Sequence, residues 1–206
     1  MVRKQFGRPR PKRRLGKKFI IVCEGAKTEV GYFHAIRQEL RRPTLEIMVV
    51  HPDATDPKRL VQAAIEKVET QKSEGNWLTD DIAWAVFDGD EHIQSKPANW
   101  KSALDLASKH NIQLAISNPS FELWYLLHFA DQNANISRQN VIRELKKHLP
   151  KYRKNLTLYP DPLTKLTENA VNRAKTLDTQ ITNNLQTAFT NPSTYVFQLV
   201  EELHKL

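Results

Sequence analysis

Two short apolar runs, each ending on an acid, constrain this chain more than any other feature. FIIVCEG, from Phe19 to Gly25, is a continuous β-branched and aromatic run that stops at Glu24. IAWAVFDGDEH, from Ile82 to His92, repeats the plan, with Asp88 and Asp90 behind the run. Continuous rather than alternating apolar residues suit strands buried on both faces of a parallel sheet. Parallel strands put their carboxyl ends on one edge, and open parallel sheets bind ligands there. The two runs therefore predict carboxylates gathered along one sheet edge.

The rest of the chain supports that sheet. From about Thr28, Val30, Phe33, Ile36 and Leu40 recur three to four apart and predict a helix. Arg41, Arg42 and Pro43 end it. Leu45 to Val50 is a second strand. Asp56 then offers an N-cap with Pro57 in the first helical position. The apolar face of that helix is Leu60, Val61, Ala64, Ile65 and Val68, and the polar stretch Ser73 to Asp80 is a loop. A third strand is Ile82 to Phe87. A helix follows over Ala98 to His110, and a fourth strand over Ile112 to Ile116, closed by Ser117, Asn118 and Pro119. Short links between alternating strands and helices imply right-handed crossovers and a four-stranded parallel sheet flanked by helices.

After Pro119 only helices are expected. Ser120 to Phe129 reads as a buried helix, and Ser137 caps another carrying Val141, Ile142, Leu145 and Leu149. Lys151 to Leu166 reads as irregular. Thr167 starts a long helix with Val171, Ala174, Leu177, Ile181 and Leu185 inward, and Asn191 with Pro192 starts the last one. The expected division is a basic tail at 1–18, an α/β portion at 19–118 and a helical portion at 119–206, packed on the core, with no internal repeat.

Charge is distributed unevenly. Residues 1–18 hold nine Lys and Arg and no acid, so removing them from the net +8 leaves about −1. The basic character belongs to a tail with the composition of a disordered arm. Such an arm either neutralises phosphates without sequence preference or only aids solubility. No basic groove is evident outside it. The longest apolar runs are about six residues, well short of the ~18–20 that a membrane helix needs. Residues 1–18 carry no apolar segment of a secretory leader. The single Cys23 makes an internal disulfide impossible and fits a reducing, cytoplasmic setting.

Three strand ends carry usable groups. The first has Glu24, Gly25, Lys27 and Glu29. The third has Asp88 and Asp90, which project to one side if the chain stays extended. The fourth has Ser117 and Asn118, with Glu122 a turn further on. Carboxylates suit Mg²⁺ or Mn²⁺, and like charges at close range call for a cation. A metal there would orient phosphate oxygens and activate water, with Glu24 as general base or acid. Plainer readings stand beside these. An Asp-x-Asp is common in turns. Lys27 either binds phosphate or pairs with Glu29 or Asp88. Glu29 and Glu122 sit where a helix start favours an acid anyway. His92 and His128 either assist proton transfer or are structural, and Cys23 reads as a buried strand residue.

IVCEGAKTE, FDGDEH, SNPSFELWYLLHF and NPSTYVFQLVEEL, in that order, resemble the RloB-like family, associated with abortive-infection and restriction-linked gene clusters in prokaryotes. The likeness runs from about Phe19 to the C-terminus. It implies a Toprim-like fold, with Glu24 as the acid/base after the first strand and Asp88 and Asp90 as metal ligands after the third. Glu29 and Glu122 are the nearest counterparts of two further acids. The step from Glu24 to Glu29 is one residue longer than the related nuclease pattern. No later catalytic lysine is assignable from Lys165 or Lys175, and no tyrosine suits a topoisomerase nucleophile. The resemblance thus implies an Mg²⁺-dependent nuclease or related phosphodiester hydrolase in antiphage defence, acting on DNA or RNA. It also implies a genomically linked ATPase partner. A homo-oligomer is left open. The alternative is a non-catalytic nucleic-acid-binding or regulatory module. A dehalogenase-type phosphatase fits poorly, since its paired acids follow the first strand.

Overall fold

The computed structural model describes residues 16–205 apart from 42–44, 53–55, 155, 157, 160 and 184–188. The first elements are β1 (Lys17–Cys23), α1 (Thr28–Leu40), β2 (Leu45–Val50) and α2 (Pro57–Ser73). β3 (Ile82–Asp88), α3 (Asp90–Ser95), α4 (Pro97–Lys109) and β4 (Ile112–Asn118) follow. The chain continues with α5 (Glu122–Leu127), α6 (Arg138–His148), α7 (Thr167–Asn183), β5 (Ser193–Thr194) and α8 (Val196–His204). The sheet order is β2-β1-β3-β4-β5. The first four strands are mutually parallel, and β5 runs antiparallel to β4.

The α/β architecture with C-terminal helices agrees with the sequence reading, but the sheet has five strands rather than four. The missed strand is two residues long. Ser193 pairs with Asn118 and Thr194 with Ser117, and the two hydroxyls of Ser117 and Thr194 bond at 2.8 Å. The last helix accordingly starts at Val196, not at Asn191 and Pro192. Lys17 and Lys18 also leave the tail for β1. Lys18 is buried. Its amine donates to Gln71 Oε1 and its backbone N–H donates to Asp81 Oδ1 at 2.7 Å. Residues 1–15 of the tail lie outside the described residues, as do Arg42, Pro43 and Leu185.

The sheet separates two apolar layers, as its period of two requires. Phe19, Ile21, Cys23, Trp84 and Val86 face a core shared with α1 and the helical C-terminal portion. Ile20, Val22, Ala83, Ala85 and Phe87 face a second core built with α2 and α4. α2 begins as its sequence predicts, with Asp56 accepting from the N–H groups of Lys58 and Arg59 at 3.1 and 3.2 Å. Tyr32, absent from the predicted stripe of α1, is fully buried. Its ring meets Phe33, Phe121, Tyr125 and Tyr159 edge-on at 5.2–5.8 Å. Such pairs each add roughly 0.5–1.5 kcal/mol beyond area burial. They tie α1 to α5 and to Tyr159. Among the described residues, no helix is long and apolar enough to cross a membrane.

Candidate active site

Each acid reaches the carboxyl edge of the sheet by a different local route. Glu24 follows β1 directly, and its N–H donates to Val86 O at 2.9 Å, extending the ladder one residue. Asp88 closes β3. Glu29 sits in the first turn of α1, and Glu122 opens α5. Glu24, Lys27, Glu29, Asp88 and Glu122 all line one cavity of about 360 Å³. Thr28, Arg138 and Lys154 line it as well.

Hydrogen bonds fix the acids individually. Asp88 N–H donates to Glu24 Oε2 at 3.0 Å, and His92 Nε2 stands 3.4 Å from Glu24 Oε1. Asp88 Oδ1 accepts from the N–H of Phe121 at 2.9 Å, while Oδ2 meets Arg138 Nη2 at 3.0 Å. Glu122 accepts from Ser120 Oγ at 2.7 Å and from Tyr152 O–H at 3.2 Å. Glu29 folds back over Gly25, and a β-carbon on that glycine would collide with its carboxylate. This close approach is what Gly25 permits. Thr28 Oγ1 donates to Lys154 O at 2.7 Å, which brings the 152–154 segment to the cavity.

Electrostatics confirm that the carboxylates sense one another. Burial raises Glu29 to about 7, and the Glu122 and Glu24 charges add to the rise, while its own backbone N–H and Lys154 oppose it. Burial also pushes Asp88 well above the usual carboxylate range, reinforced by Glu29 and opposed chiefly by Arg138. Oxygen donors of this kind match a hard divalent cation in chemistry. The shell is not preassembled, however: among the described residues no three His, Cys, Asp or Glu side chains form a ready metal group.

One expectation needs correction, while the plainer readings of His128 and Cys23 hold. Asp90 does not continue an extended chain. Gly89 takes a helical conformation (φ −100°, ψ −26°) and Asp90 starts α3, so the period-two placement of the Asp-x-Asp does not apply. The Asp90 side chain lies outside the described residues. His128 is buried in the core, its Nδ1 bonded to Trp124 O at 2.9 Å, and burial lowers it to about 4. It belongs to packing rather than to the cavity. Cys23 is fully buried, and burial with the nearby Glu29 charge pushes its thiol up, which keeps it protonated and inert.

Sequence reasoning missed Arg138, Tyr152 and Lys154. They stand in the helical portion, tens of residues from any strand end, and carry no local motif. Arg138 is the informative one, because its guanidinium neutralises the buried Asp88. Replacing Arg138 by Gln is expected to cost about 1–2 kcal/mol in metal-free buffer, a partly exposed pair being worth less than a fully buried one. Millimolar Mn²⁺ should return most of that loss if the cation takes over the guanidinium's charge. Urea midpoints with and without Mn²⁺ check both halves of this expectation.

A family model described as RloB-like protein matches residues 19–203. Neither a curated protein nor a solved structure gives a match. The family match spans both the α/β portion, which supplies Glu24, Glu29 and Asp88, and the helical portion, which supplies Glu122, Arg138 and Lys154. This chain belongs to the RloB-like family.

Proposed function

We propose that this protein is an Mg²⁺- or Mn²⁺-dependent hydrolase of nucleic-acid phosphodiesters, serving prokaryotic antiphage defence of the abortive-infection type. The observation that carries this reading is the convergence of Glu24, Glu29, Asp88 and Glu122 with Lys27, Arg138 and Lys154 around one cavity at the carboxyl edge. Asp88 and Glu24 would hold the ion, with Glu29 and Glu122 beside them and Asp90 two residues after Asp88. When bound, such an ion polarises a phosphoryl oxygen and lowers the pKa of water.

The chain's own groups do the rest. Water attacks phosphorus, the bond to the leaving oxygen breaks, and Glu24 Oε1 accepts the proton from water. The leaving oxygen takes its proton from solvent. The Asp88 N–H holds Glu24 Oε2, which fixes the orientation of the accepting oxygen. Lys27 and Lys154, in the cavity wall, face the charge of the phosphate. DNA and RNA both satisfy this chemistry. A cytoplasmic setting, an ATPase partner that gates activity, and assembly of more than one copy belong to the same reading through the family resemblance.

Wild-type protein should cleave DNA or RNA only with Mg²⁺ or Mn²⁺, and Asp88→Asn should abolish the cleavage. Undiminished cleavage by that variant would refute the assignment. One observation favours a second reading, a non-catalytic binding or regulatory module: Asp88 already has a counter-ion in Arg138. Calorimetry separates the two. Mn²⁺ binding that disappears in Asp88→Asn supports the hydrolase, and no binding at millimolar Mn²⁺ supports the module.

A further inference from the structure

A second groove opens on the same edge of the sheet but on its other face. α2 and α4 pack together there, each starting at the carboxyl edge because it follows a parallel strand. Their first turns enclose a space of about 520 Å³ lined by Asp56, Lys58, Arg59, Gln62, Lys96 and Asn99. Three of the six are cations. Lys58, Arg59 and Lys96 make no ion pair with any described residue. The one acid is already engaged, since Asp56 accepts from the N–H groups of Lys58 and Arg59 and from Asn99 Nδ2 at 3.2 Å. The first N–H groups of α2 are therefore capped internally, whereas α4, with Lys96 at its N-cap, has no side-chain cap, and the three cations stand at these two helix starts.

We propose that this groove is an exosite for the nucleic-acid backbone, holding phosphates that flank the one in the acid-lined cavity. The proposal rests on the hydrolase reading and extends it to the shape of the substrate. α3 joins the two places: it starts two residues after Asp88 and ends one residue before Lys96. Six helical residues rise about 9 Å, a distance of a few nucleotides. The body of the chain is near neutral, so three cations without an ion pair among the described residues are a local asymmetry rather than a share of a general charge. A polyanion lying across the edge would meet the acids and their ion at one phosphate and these cations at its neighbours. Arg and Lys contacts of this kind position a backbone without reading its sequence.

The test is salt-dependent binding of a labelled single-stranded dodecamer to the full chain in EDTA, read by fluorescence anisotropy. The variant is Lys58→Gln with Arg59→Gln and Lys96→Gln. Three lost phosphate contacts should reduce the slope of log affinity against log salt by about 2, and the affinity at low salt by tenfold or more. A charge-matched control, Lys67→Gln with Lys109→Gln and Lys146→Gln, should leave the slope near that of wild type. Hydrolysis of bis(para-nitrophenyl) phosphate should be equal in wild type and the groove variant, since that small diester reaches only the acid cavity. An unchanged slope in the groove variant, an equal loss in the control, or absence of dodecamer binding by wild type would overturn the exosite. ATP competing as well as the dodecamer would also overturn it, by making the groove a mononucleotide site. Asp88→Asn keeps the groove intact, so loss of cleavage with an unchanged binding slope separates the fate of the catalytic reading from that of this one.

Discussion

Glu24→Gln is expected to lower metal-dependent phosphodiester cleavage by about 10²–10⁴-fold, the usual contribution of a positioned proton acceptor. The substitution is nearly isosteric. A glutamine oxygen still accepts from the Asp88 N–H, so the bond that closes the ends of β1 and β3 survives. What is lost is the capacity of the other oxygen, beside His92, to take a proton. Thermal stability and dodecamer affinity should therefore stay close to wild type while single-turnover cleavage collapses. Glu24→Ala should differ, because it also removes the acceptor of the Asp88 N–H and should lower the melting temperature. Cleavage by Glu24→Gln at the wild-type rate would remove Glu24 from the chemistry.

The second large effect concerns stability and pH. Glu29 ionises near 7 in the folded chain against an ordinary value of 4.5, driven first by burial and then by Glu122 and Glu24. Between those two values the folded state binds more protons than the unfolded state, so stability falls as pH rises. The penalty is absent below about pH 4.5, where Glu29 is neutral in both states, and complete above about pH 7. A shift of this size corresponds to a cost on the order of 3 kcal/mol. Glu29→Gln removes the ionisation, so the variant should exceed wild type in stability at pH 8 and approach it at pH 4.5. Urea titrations in EDTA across that range read the difference. A gap that stays constant with pH, or closes as pH rises, would contradict the burial of a charged Glu29. Divalent cation at pH 8 should narrow the gap, since it offsets the same repulsion by another route.

Some of this molecule is written locally and some is not. β1 and β3 are continuous apolar runs, and α2 announces itself through Asp56 and Pro57, so strand order aside, the sheet and its helices could be read directly. α3 could not: DEHIQS has no apolar period, and it forms because Gly89 turns helical as the chain leaves β3. β5 is two residues whose partners lie over seventy positions earlier, and nothing in Ser193 and Thr194 foretells that pairing. Glu24 and Asp88 were visible because they sit on strand ends, and Glu29 and Glu122 because they open helices that follow strand ends. Their counter-charges were not, since Arg138 and Lys154 reach the cavity only through the packing of α6 and the 152–154 segment. The groove cations were hidden for a related reason: Lys58 and Arg59 are neighbours, but Lys96 joins them only when α2 and α4 pack.

The bond from Thr28 to Lys154 spans 126 positions, and it has a consequence for synthesis. On the ribosome, all four acids are made before Lys154 is. At elongation rates of about 5–20 residues per second, the interval from Glu122 to Lys154 lasts roughly 2–6 s. During that interval the nascent chain carries the acids without the last of their cationic partners, and β4 lacks the strand that will cover its end. A nascent chain that stops short of Lys154 therefore lacks part of the cavity wall. Completion of the acid-lined cavity thus waits on the helical portion, long after the first of the four acids is made.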